Sequence, residues 1–490
     1  MMCLKPLPKT ELLIPIREQP LCPSSLAVDS RKVEKGGIFV AIPGTQYNGI
    51  TFIEDALKRG AAGIVVPQGV GKTIAAQFKD LYPHVSFFET PNARKASSLL
   101  AAHFYPLQPE TVVAVTGTNG KTSVVSFMRQ LWHHLGKPAA SLGTLGLVIE
   151  GKPLPSPTGT EGTNTPPAVT LHQILQTLKK EGIENLAFEA SSHALNQNRL
   201  DAVDLKAAVF TNFSCDHLDY HETMDAYFAA KIRLFHEILD ENTAAVLNTD
   251  IPEYEKLLKL CKKQHLCVIS FGKEGNLLRP TSITPTDEGQ NVVLECQGKS
   301  YPIFLPFVGQ FQIYNIMAAA SAVIACGADI PSTLDACLHL KGVPGRLERV
   351  APGIYVDYAH TPDGLLSSLT ALRPHTKGKL WVVFGCGGNR DISKRASMGE
   401  MAAKLADITI ITDDNPRYED PANIRKEILS KCPNGQEIGS REDAIQYAID
   451  EMKPGDIVLI AGKGHEPYQI IKDQHIPFDD GEEVRKRVNR

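Results

Sequence analysis

Six short runs of β-branched and apolar residues in this chain end abruptly in glycine or a polar residue and precede a helical pattern. The runs are TVVAV, NLAFE, AAVFT, LWVVF, DITIIT and DIVLIA. Near-continuous apolar strands that alternate with helices are typical of parallel sheets covered on both faces. The sequence therefore predicts an α/β protein whose ligand sites lie in the loops after the carboxyl ends of its strands.

Two proline-containing links divide the sequence into three parts. At roughly 150 residues per domain, a chain of 490 residues suggests about three domains. The first link, HFYPLQPE, comes just before TVVAV, and the second is KGVPGR. We therefore expect units over residues 1–109, 110–344 and 345–490. The first mixes short strands with polar turns, as a small α/β domain does.

Composition and charge exclude several classes of protein. Apolar residues make up 43% of the chain, as in globular proteins, and the net charge of −4 gives no basic field for nucleic acid. No apolar stretch approaches the roughly 20 residues of a membrane helix, and prolines interrupt the N-terminus where a signal peptide has its apolar core. Ten cysteines without C-x-x-C spacing favour reduced thiols over a disulfide scaffold or zinc site. We expect a cytoplasmic enzyme that binds neither nucleic acid nor a membrane.

The strongest local signal is TGTNGKTS, residues 116–123, between a predicted strand and a predicted helix. Gly117 and Gly120 allow backbone N–H groups to face phosphate oxygens. Lys121 can reach the β- and γ-phosphates, and the Thr122 hydroxyl can bind Mg²⁺. A plain glycine-rich turn is the alternative, but the order of strand, Gly-Lys-Thr and helix favours an ATP site.

Two further strand ends carry candidate metal ligands. Glu189 ends the run NLAFE, and His217 follows the run AAVFT. Either side chain could lie beside a triphosphate as a metal ligand. Each could equally be structural, since a strand-end glutamate often caps the next helix. The spacing of His217 and His221 could also suggest zinc, but no histidine or cysteine nearby in the sequence completes such a set.

Lys231 lies on the apolar face of a predicted helix, TMDAYFAAKIRLFHEIL. The apolar positions of that face are Met224, Tyr227, Phe228, Leu234, Phe235 and Ile238. A lysine that faces the core needs a partner, or it loses its proton. A neutral amine can react with CO₂ to form a carbamate that bridges metal ions. A lysine whose ammonium reaches solvent along the apolar surface is the simpler alternative, and both stay open on the residues alone.

The third part offers groups that suit a charged amino acid. DDNPR follows the run DITIIT, and its Asn-Pro favours a tight turn that presents Arg417. Arg417 and Arg390 could each bind a carboxylate, and Glu466 could face an ammonium. The set suits a zwitterion with an additional acidic group. Each loop taken singly could be an ordinary turn.

Ten motifs occur in an order that resembles the Mur ligases, and they extend over almost the whole chain. They are DSR…GTQYNG, TGTNGKTS, FEASSHAL, NFSCDHLDYH, VGQFQIYN, VPGRLE, VDYAHTP, GCGGNRD, DDNPR and AGKGHE. The resemblance implies a UDP-substrate domain over 1–109, a central P-loop ATPase domain over 110–344 and a Rossmann-like amino-acid-binding domain over 345–490. Because amine and nucleotide would bind to different domains, we expect domain closure to bring them together.

The resemblance also implies a role for particular residues. UDP-substrate binding is implied for Val28, Ser30, Thr45, Gln46, Tyr47, Asn164, Thr165, Ser191, Gln197 and Arg199. ATP binding is implied for Gly117, Thr118, Asn119, Gly120, Lys121, Thr122, Ser123, Asn315, Arg346 and Asp357. Two Mg²⁺ ions would be held by Thr122, Glu189, His217 and carbamoylated Lys231, which with Lys121 form the catalytic set. The incoming amino acid would be bound by Arg390, Asp414, Asn415, Pro416, Arg417, Gly462 and Glu466.

The motif DNPR resembles the mark of the diaminopimelate-adding members of the family. The resemblance thus implies a monomeric ligase of peptidoglycan precursor synthesis. It would use ATP and Mg²⁺ to join meso-diaminopimelate to the D-Glu of UDP-N-acetylmuramoyl-L-Ala-D-Glu through an acyl phosphate. A lysine-adding relative and a folylpolyglutamate synthetase-like ligase are alternatives, although the latter does not predict DDNPR. From another class, a nucleotide-dependent switch would bind ATP and form no amide.

Overall fold

The structure, a computed structural model, describes residues 13–19, 21, 23–44, 48–150 and 164–488. The chain divides into two compact units. The first unit comprises Met1–Asn276 and Ala318–Thr333, and the second comprises Leu277–Met317 and Leu334–Arg490. Parallel sheets occur in both, which confirms the predicted α/β class.

The N-terminal part of the first unit is a five-stranded sheet of order β1-β5-β4-β3-β2. Its strands are β1 Ile14–Arg17, β2 Leu26–Ala27, β3 Ile38–Val40, β4 Gly63–Pro67 and β5 Ser86–Thr90. Its helices are α1 Ile53–Lys58, α2 Gly71–Gln77 and α3 Ala93–Phe104. Only β1 runs antiparallel to its neighbour. Separate apolar clusters contain residues from alternate positions of the strands, so both faces of the sheet are buried.

A seven-stranded sheet of order β12-β11-β10-β6-β9-β7-β8 forms the rest of the first unit. Its strands are β6 Thr111–Thr116, β7 Ala139–Gly143, β8 Gly146–Ile149, β9 Asn185–Glu189, β10 Ala207–Phe210, β11 Ala244–Asn248 and β12 Cys267–Phe271. Its helices are α4 Lys121–His134, α5 Ala168–Lys180, α6 Ser192–Asn196, α7 Leu218–His221, α8 Met224–Arg233 and α9 Tyr254–Lys263. Only the edge strand β8 is antiparallel.

The position of β6 decides where the site of this unit lies. β6 pairs in parallel with β9 on one side and with β10 on the other. The carboxyl ends of parallel neighbours meet at one edge of a sheet. The loops after TVVAV, NLAFE and AAVFT therefore share that edge, and all three predicted strands are confirmed.

The second unit begins with a three-stranded antiparallel sheet that the sequence patterns did not predict. Its strands are β13 Arg279–Thr286, β14 Gly289–Cys296 and β15 Lys299–Leu305. Two helices follow, α10 Gln310–Ala325 and α11 Ile330–Ala336, and their residues are divided between the two units. The strand β13 contains only exposed and half-buried residues, so it lacks the continuous apolar run by which parallel strands were identified.

The remainder of the second unit is a six-stranded sheet of order β16-β17-β21-β18-β19-β20, with a separate hairpin. Its strands are β16 Glu348–Ala351, β17 Ile354–Asp357, β18 Leu380–Phe384, β19 Ile408–Ile411, β20 Gln436–Glu437 and β21 Ile457–Ala461; the hairpin is β22 Tyr468–Ile471 and β23 Gln474–Pro477. Its helices are α12 Pro362–Leu372, α13 Ser393–Leu405, α14 Pro421–Leu429, α15 Arg441–Glu451 and α16 Asp480–Val488. All neighbouring strands of this sheet pair in parallel except β16 and β17. One apolar cluster covers each face of the sheet.

Among the residues placed by the structure, no helix combines the length and apolar character that crossing a bilayer requires. The eight cysteines in that part of the chain form no disulfide.

His172, on α5, is an unusual member of the core of the first unit. It is 2% exposed, and its Nε2 has no hydrogen-bond partner among the described residues. Burial lowers the pKa of His172 from 6.5 to about 4. Below pH 6.5 the unfolded chain therefore takes up a proton that the folded chain refuses until about pH 4. The neutral ring contributes stability above pH 6.5, and this contribution is lost as the pH falls toward 4.

We predict that His172→Leu makes the protein less sensitive to acid. Between pH 7 and pH 5 the wild-type protein should lose roughly 2 kcal/mol more of its free energy of unfolding than the variant. Urea unfolding at the two pH values measures this difference. His84→Leu, at an exposed histidine, serves as the control. Equal pH dependence of the wild-type protein and His172→Leu would contradict the prediction.

Candidate functional site

The P-loop joins the end of β6 to the start of α4. Gly117 has a φ of +140°, and a Cβ there would lie 2.0 Å from Thr211 Oγ1, so only glycine fits. Lys121 Nζ donates to the carbonyls of Gly117 at 2.9 Å and Thr118 at 2.7 Å. The ammonium is thereby held over the loop, at the N-terminus of a helix of 14 residues, where anions are favoured.

The loop after β10 holds the P-loop in shape, a role the sequence did not reveal. Asn212 Oδ1 accepts from the backbone N–H of Asn119 at 2.8 Å, and its Nδ2 donates to the Asn119 carbonyl at 3.1 Å. Thr211 Oγ1 donates to the same carbonyl at 2.6 Å. Because these contacts span about ninety residues of sequence, no local pattern indicates them.

Glu189 points toward the P-loop, as predicted. Its buried carboxylate accepts from Thr122 Oγ1 at 2.9 Å, from the backbone N–H of Thr144 at 2.8 Å and from Thr144 Oγ1 at 3.2 Å. All three donors are neutral. A buried carboxylate with only neutral donors favours a cation beside it. Thr144 follows β7 and was not a candidate, because its short loop between Gly143 and Gly146 carries no charged residue.

Lys231 lies in the interior of the first unit. It is 1% exposed, and its Nζ donates to the carbonyl of Gly117 at 2.7 Å and lies 4.4 Å from the ring centre of Tyr227. Burial, with the nearby charge of Lys121 adding to it, holds the pKa of Lys231 well below its usual range. The alternative of an ammonium that reaches solvent is therefore wrong. Lys231 lies near the end of α8. This α-helix ends at Arg233, and the chain continues as a π-helix over Leu234–Ile238.

His217 lies near the same ammonium groups. Burial lowers its pKa, the charges of Lys121 and Lys231 lower it further, and Asp216 opposes them. A neutral imidazole can act as a metal ligand. The ring of His193 packs against His217, with centroids 4.8 Å apart.

His193 is a residue that the sequence reasoning missed. It packs against His221 as well as His217, so a third histidine lies near that pair. Burial lowers the pKa of His193 to about 4. Within the described part of the chain, no group of three or more histidine, cysteine, aspartate or glutamate side chains is arranged to hold a metal. The only sequence signal for His193 was the ASSH motif, which was interpreted as the segment that follows Glu189.

Four of the predicted UDP-substrate residues form one hydrogen-bonded group beside Glu189. Thr165 Oγ1 donates to the Glu189 carbonyl at 2.7 Å and accepts from the backbone N–H of Ser191 at 3.2 Å. Arg199 donates to the Thr165 carbonyl and, through Nη2, to Gln197 Oε1 at 2.8 Å. The structure thus brings these four residues to the edge of the sheet that carries the P-loop. Asn164 lies exposed next to them.

The remaining UDP-substrate candidates lie near the N-terminus. Val28 packs against an apolar cluster of the five-stranded sheet. Ser30 is buried at the start of a short 3₁₀ helix, and its hydrogen bond to Asp55 lowers the pKa of that carboxyl. Thr45, Gln46 and Tyr47 lie outside the described residues.

In the second unit, Asn315 and Arg346 are linked through Gln312. Asn315 Nδ2 donates to Gln312 Oε1 at 3.2 Å, and Gln312 Nε2 donates to the carbonyl of Arg346 at 3.0 Å. The Arg346 guanidinium lies over the ring of Tyr358, 4.8 Å from its centre. Two of the predicted ATP residues therefore lie together.

Asp357 ends β17 next to these residues in sequence and in space. Its carboxylate accepts from the backbone N–H groups of Leu347 at 2.7 Å and Ala359 at 3.0 Å, and from Ser368 Oγ at 2.9 Å. Burial raises its pKa, and the charge of Arg346 opposes that shift. These bonds fix the VPGRLE segment to the end of β17.

The two predicted arginines flank Gly387, in the loop after β18. A Cβ on Gly387 would lie 2.8 Å from Arg417 Nη1 and 3.8 Å from Arg390 Cγ, so both side chains approach this glycine closely. Arg417 Nη1 donates to the carbonyls of Gly388 at 2.9 Å and Asn415 at 3.5 Å. Neither guanidinium forms an ion pair among the residues described. Two such forks at one place suit a carboxylate.

An acidic group lies in the same set of loops. Glu466 accepts from Asn415 Nδ2 at 2.9 Å and from Tyr358 OH at 3.5 Å. A Cβ on Gly462 would lie 2.7 Å from Asp414 Oδ2, and one on Gly388 would meet the carbonyl of Pro416. All seven predicted amino-acid-binding residues therefore lie in loops that contact one another.

Two buried cations support these loops and were not candidates. Lys463 Nζ lies 3.7 Å from Glu466 Oε2, and burial lowers its pKa. Arg395, 1% exposed, bonds Glu419 Oε2 at 2.9 Å and the carbonyl of Gly387 at 3.3 Å. Glu419 also accepts from the backbone N–H of Asn389. Arg395 thus ties the loop of Arg390 to the loop of Arg417, a tertiary role with no sequence signal beyond its position in a helix.

Three family models match the chain in succession. They are described as Mur ligase family, catalytic domain, over residues 24–105; Mur ligase middle domain, over 115–323; and Mur ligase, glutamate ligase domain, over 345–464.

Curated relatives match over nearly the full length. The chain is 47% identical over 463 residues to UDP-N-acetylmuramoyl-L-alanyl-D-glutamate–2,6-diaminopimelate ligase of Caulobacter vibrioides, covering 93% of both chains. It is 46% identical over 463 residues to the protein of that name from Zymomonas mobilis, covering 93% of this chain and 92% of that one.

Solved structures agree. One of a UDP-N-acetylmuramoyl-L-alanyl-D-glutamate–2,6-diaminopimelate ligase matches with a TM-score of 0.70 at 32% identity, over 96% of this chain and 95% of that one. A folylpolyglutamate synthase from Mycobacterium tuberculosis matches with a TM-score of 0.63 at 19% identity, over 79% and 95%, which is a likeness of fold alone. The match to the diaminopimelate ligase structure covers nearly the whole chain and is not confined to the P-loop region.

Proposed function

The chain belongs to the Mur ligase family, and on that premise we propose that it is the ATP-dependent ligase that joins diaminopimelate to UDP-N-acetylmuramoyl-L-alanyl-D-glutamate. The observation that carries the choice of amino acid is the pair Arg390 and Arg417, whose side chains both approach Gly387 and form no ion pair with a carboxylate among the described residues. The reaction would belong to peptidoglycan precursor synthesis.

We propose three functional domains within the two compact units. A UDP-substrate domain would cover 1–109, an ATPase domain 110–344 and an amino-acid-binding domain 345–490. The three matched family segments support this division, since each falls inside one of these ranges. We also propose a cytoplasmic monomer, and the lack of disulfides among the described cysteines supports a reducing compartment.

The first step would activate the side-chain carboxylate of D-Glu, because a carboxylate is a poor electrophile. A carboxylate oxygen attacks the γ-phosphorus of ATP, the bond to the β-γ bridging oxygen breaks, and ADP leaves. Lys121, held over the P-loop, would balance charge on the transferred phosphoryl group. Thr165, Ser191, Gln197 and Arg199 would orient the acceptor beside Glu189.

The donor set at Glu189 fits magnesium. The Thr122 hydroxyl and the Glu189 carboxylate are oxygen ligands of the kind Mg²⁺ prefers, and Glu189 has only neutral donors around it. We propose that Thr122 and Glu189, with His217 and Lys231 as a carbamate, hold the metal, which when bound would neutralise phosphate charge. The depressed pKa of Lys231 supports the carbamate, because only a neutral amine reacts with CO₂.

The second step would form the amide. The amine of diaminopimelate attacks the acyl carbon, and phosphate leaves with the electrons of the carbon–oxygen bond while the nitrogen loses a proton. Arg390 and Arg417 would bind the distal carboxylate, and Glu466 would face the distal ammonium. Lysine lacks that carboxylate and would leave the guanidiniums unpaired, so it would be used poorly.

We predict that Lys231→Ala abolishes activity and that a small carboxylic acid such as formate or acetate restores part of it, by supplying the missing carboxylate oxygens. Dipeptide- and diaminopimelate-dependent release of ADP measures both effects. Lys259→Ala, at an exposed lysine of the same unit, is the control and should retain activity. Full activity of Lys231→Ala without added acid would refute the carbamate.

Arg417→Ala should raise the KM for diaminopimelate by about tenfold or more, because a charge-assisted bond to the distal carboxylate is lost. The KM for ATP should change by less than about twofold. Steady-state kinetics with each substrate varied in turn distinguishes the two, and Arg349→Ala, at an exposed arginine, is the control. Equal increases in both KM values would argue against this placement of the substrate.

A further inference from the structure

The hairpin β22–β23 is held mainly by the loop that carries Arg417, and in addition by a hydrogen bond from Lys463 Nζ to the carbonyl of Tyr468. Every residue of β23 is exposed, and the two strands pair with each other alone as a sheet. An isolated two-stranded hairpin is marginally stable in water. Its persistence here therefore depends on contacts with the rest of the second unit.

Those contacts converge on residues 413–418. The backbone N–H of Arg417 donates to the carbonyl of Ile470 at 3.0 Å, and the N–H of Lys472 donates to the carbonyl of Arg417 at 2.8 Å. The N–H of Ile470 donates to Asn415 Oδ1 at 2.9 Å. Gln469 Nε2 donates to the carbonyl of Asp414 at 2.8 Å. The outer strand edge of the hairpin thus pairs with the DDNPR turn.

Arg417 needs this support because its backbone is in the left-handed region, with a φ of +51°. A residue with a Cβ adopts that conformation only when its surroundings impose it. The hydrogen bonds of its own peptide groups to Ile470 and Lys472 impose it here, together with the bond from the Ile470 N–H that fixes Asn415 two residues before it. In this conformation its guanidinium reaches Gly388 and lies beside Arg390.

We propose that the hairpin is a specificity-determining element of the amino-acid site. It acts as a positioning device that fixes Arg417 for the distal carboxylate of diaminopimelate and makes no contact with substrate itself. This inference rests on the proposed function. A ligand without a distal carboxylate does not use Arg417, so a change in the hairpin should affect its binding less than that of diaminopimelate.

Ile470→Pro tests this idea. Both polar backbone groups of Ile470 point away from β23, so its pair with His475 is the non-hydrogen-bonded kind. Proline there removes the donor to Asn415 and leaves the hairpin ladder intact. His475→Pro is the matched control, since it places proline opposite, where the N–H also points away from the ladder. Gln469→Met, which removes only side-chain donors, is a second variant in case Ile470→Pro fails to fold.

The expected result is a rise of about fivefold to tenfold in the KM for diaminopimelate with Ile470→Pro, and a smaller rise with Gln469→Met. The values of kcat, the KM for ATP and the slow use of lysine should stay within about twofold. His475→Pro should behave as wild type. An unchanged KM for diaminopimelate in both test variants would overturn the proposal, as would an equal loss with lysine, which would indicate general damage. A wild-type protein that ignores diaminopimelate would instead overturn the proposed function.

Discussion

Parallel strands that end at one edge of a sheet bring distant residues together, and both candidate sites depend on this arrangement. In the first unit, β6 lies between β9 and β10, so the P-loop, Glu189 and the loop of His217 meet at that edge. In the second unit, β17, β21, β18 and β19 are neighbours, so Asp357, Gly462, Gly387 and Asp413 follow adjacent strand ends. Each site collects polar groups from segments far apart in sequence, while the apolar strands beneath supply the stability.

These sites also place polar groups where burial is costly. Glu189 is buried with neutral donors, and Lys231 is buried against a carbonyl and an aromatic ring. Neither arrangement stabilises the fold as an apolar side chain of equal size would. Arg417 adds a backbone conformation that is unfavourable by roughly 1–2 kcal/mol for a residue with a Cβ. Such costs are expected where binding and chemistry, rather than stability, determine the residue.

Local patterns predicted six of the parallel strands, the P-loop and the loops of Arg390, Arg417 and Glu466, because each is encoded within about ten residues. Contacts between distant segments could not be predicted. Asn212 supports the P-loop, Thr144 and His193 lie beside predicted ligands, and Arg395 joins the two arginine loops. Lys231 shows the difference most clearly. Its helical spacing indicated that it lies on the apolar face of the helix. Only the hydrogen bond of its ammonium to the Gly117 carbonyl showed that the side chain is buried and does not reach solvent.

The most direct test of this account is the release of ADP by the purified protein, with the product identified by mass. ATP, the UDP-muramoyl dipeptide and a panel of amino acids are supplied together and with each left out. The account predicts rapid ADP release only when dipeptide and diaminopimelate are both present, with a product equal to their combined mass less one water. Faster turnover with lysine, or ADP release without an amide product, would contradict it.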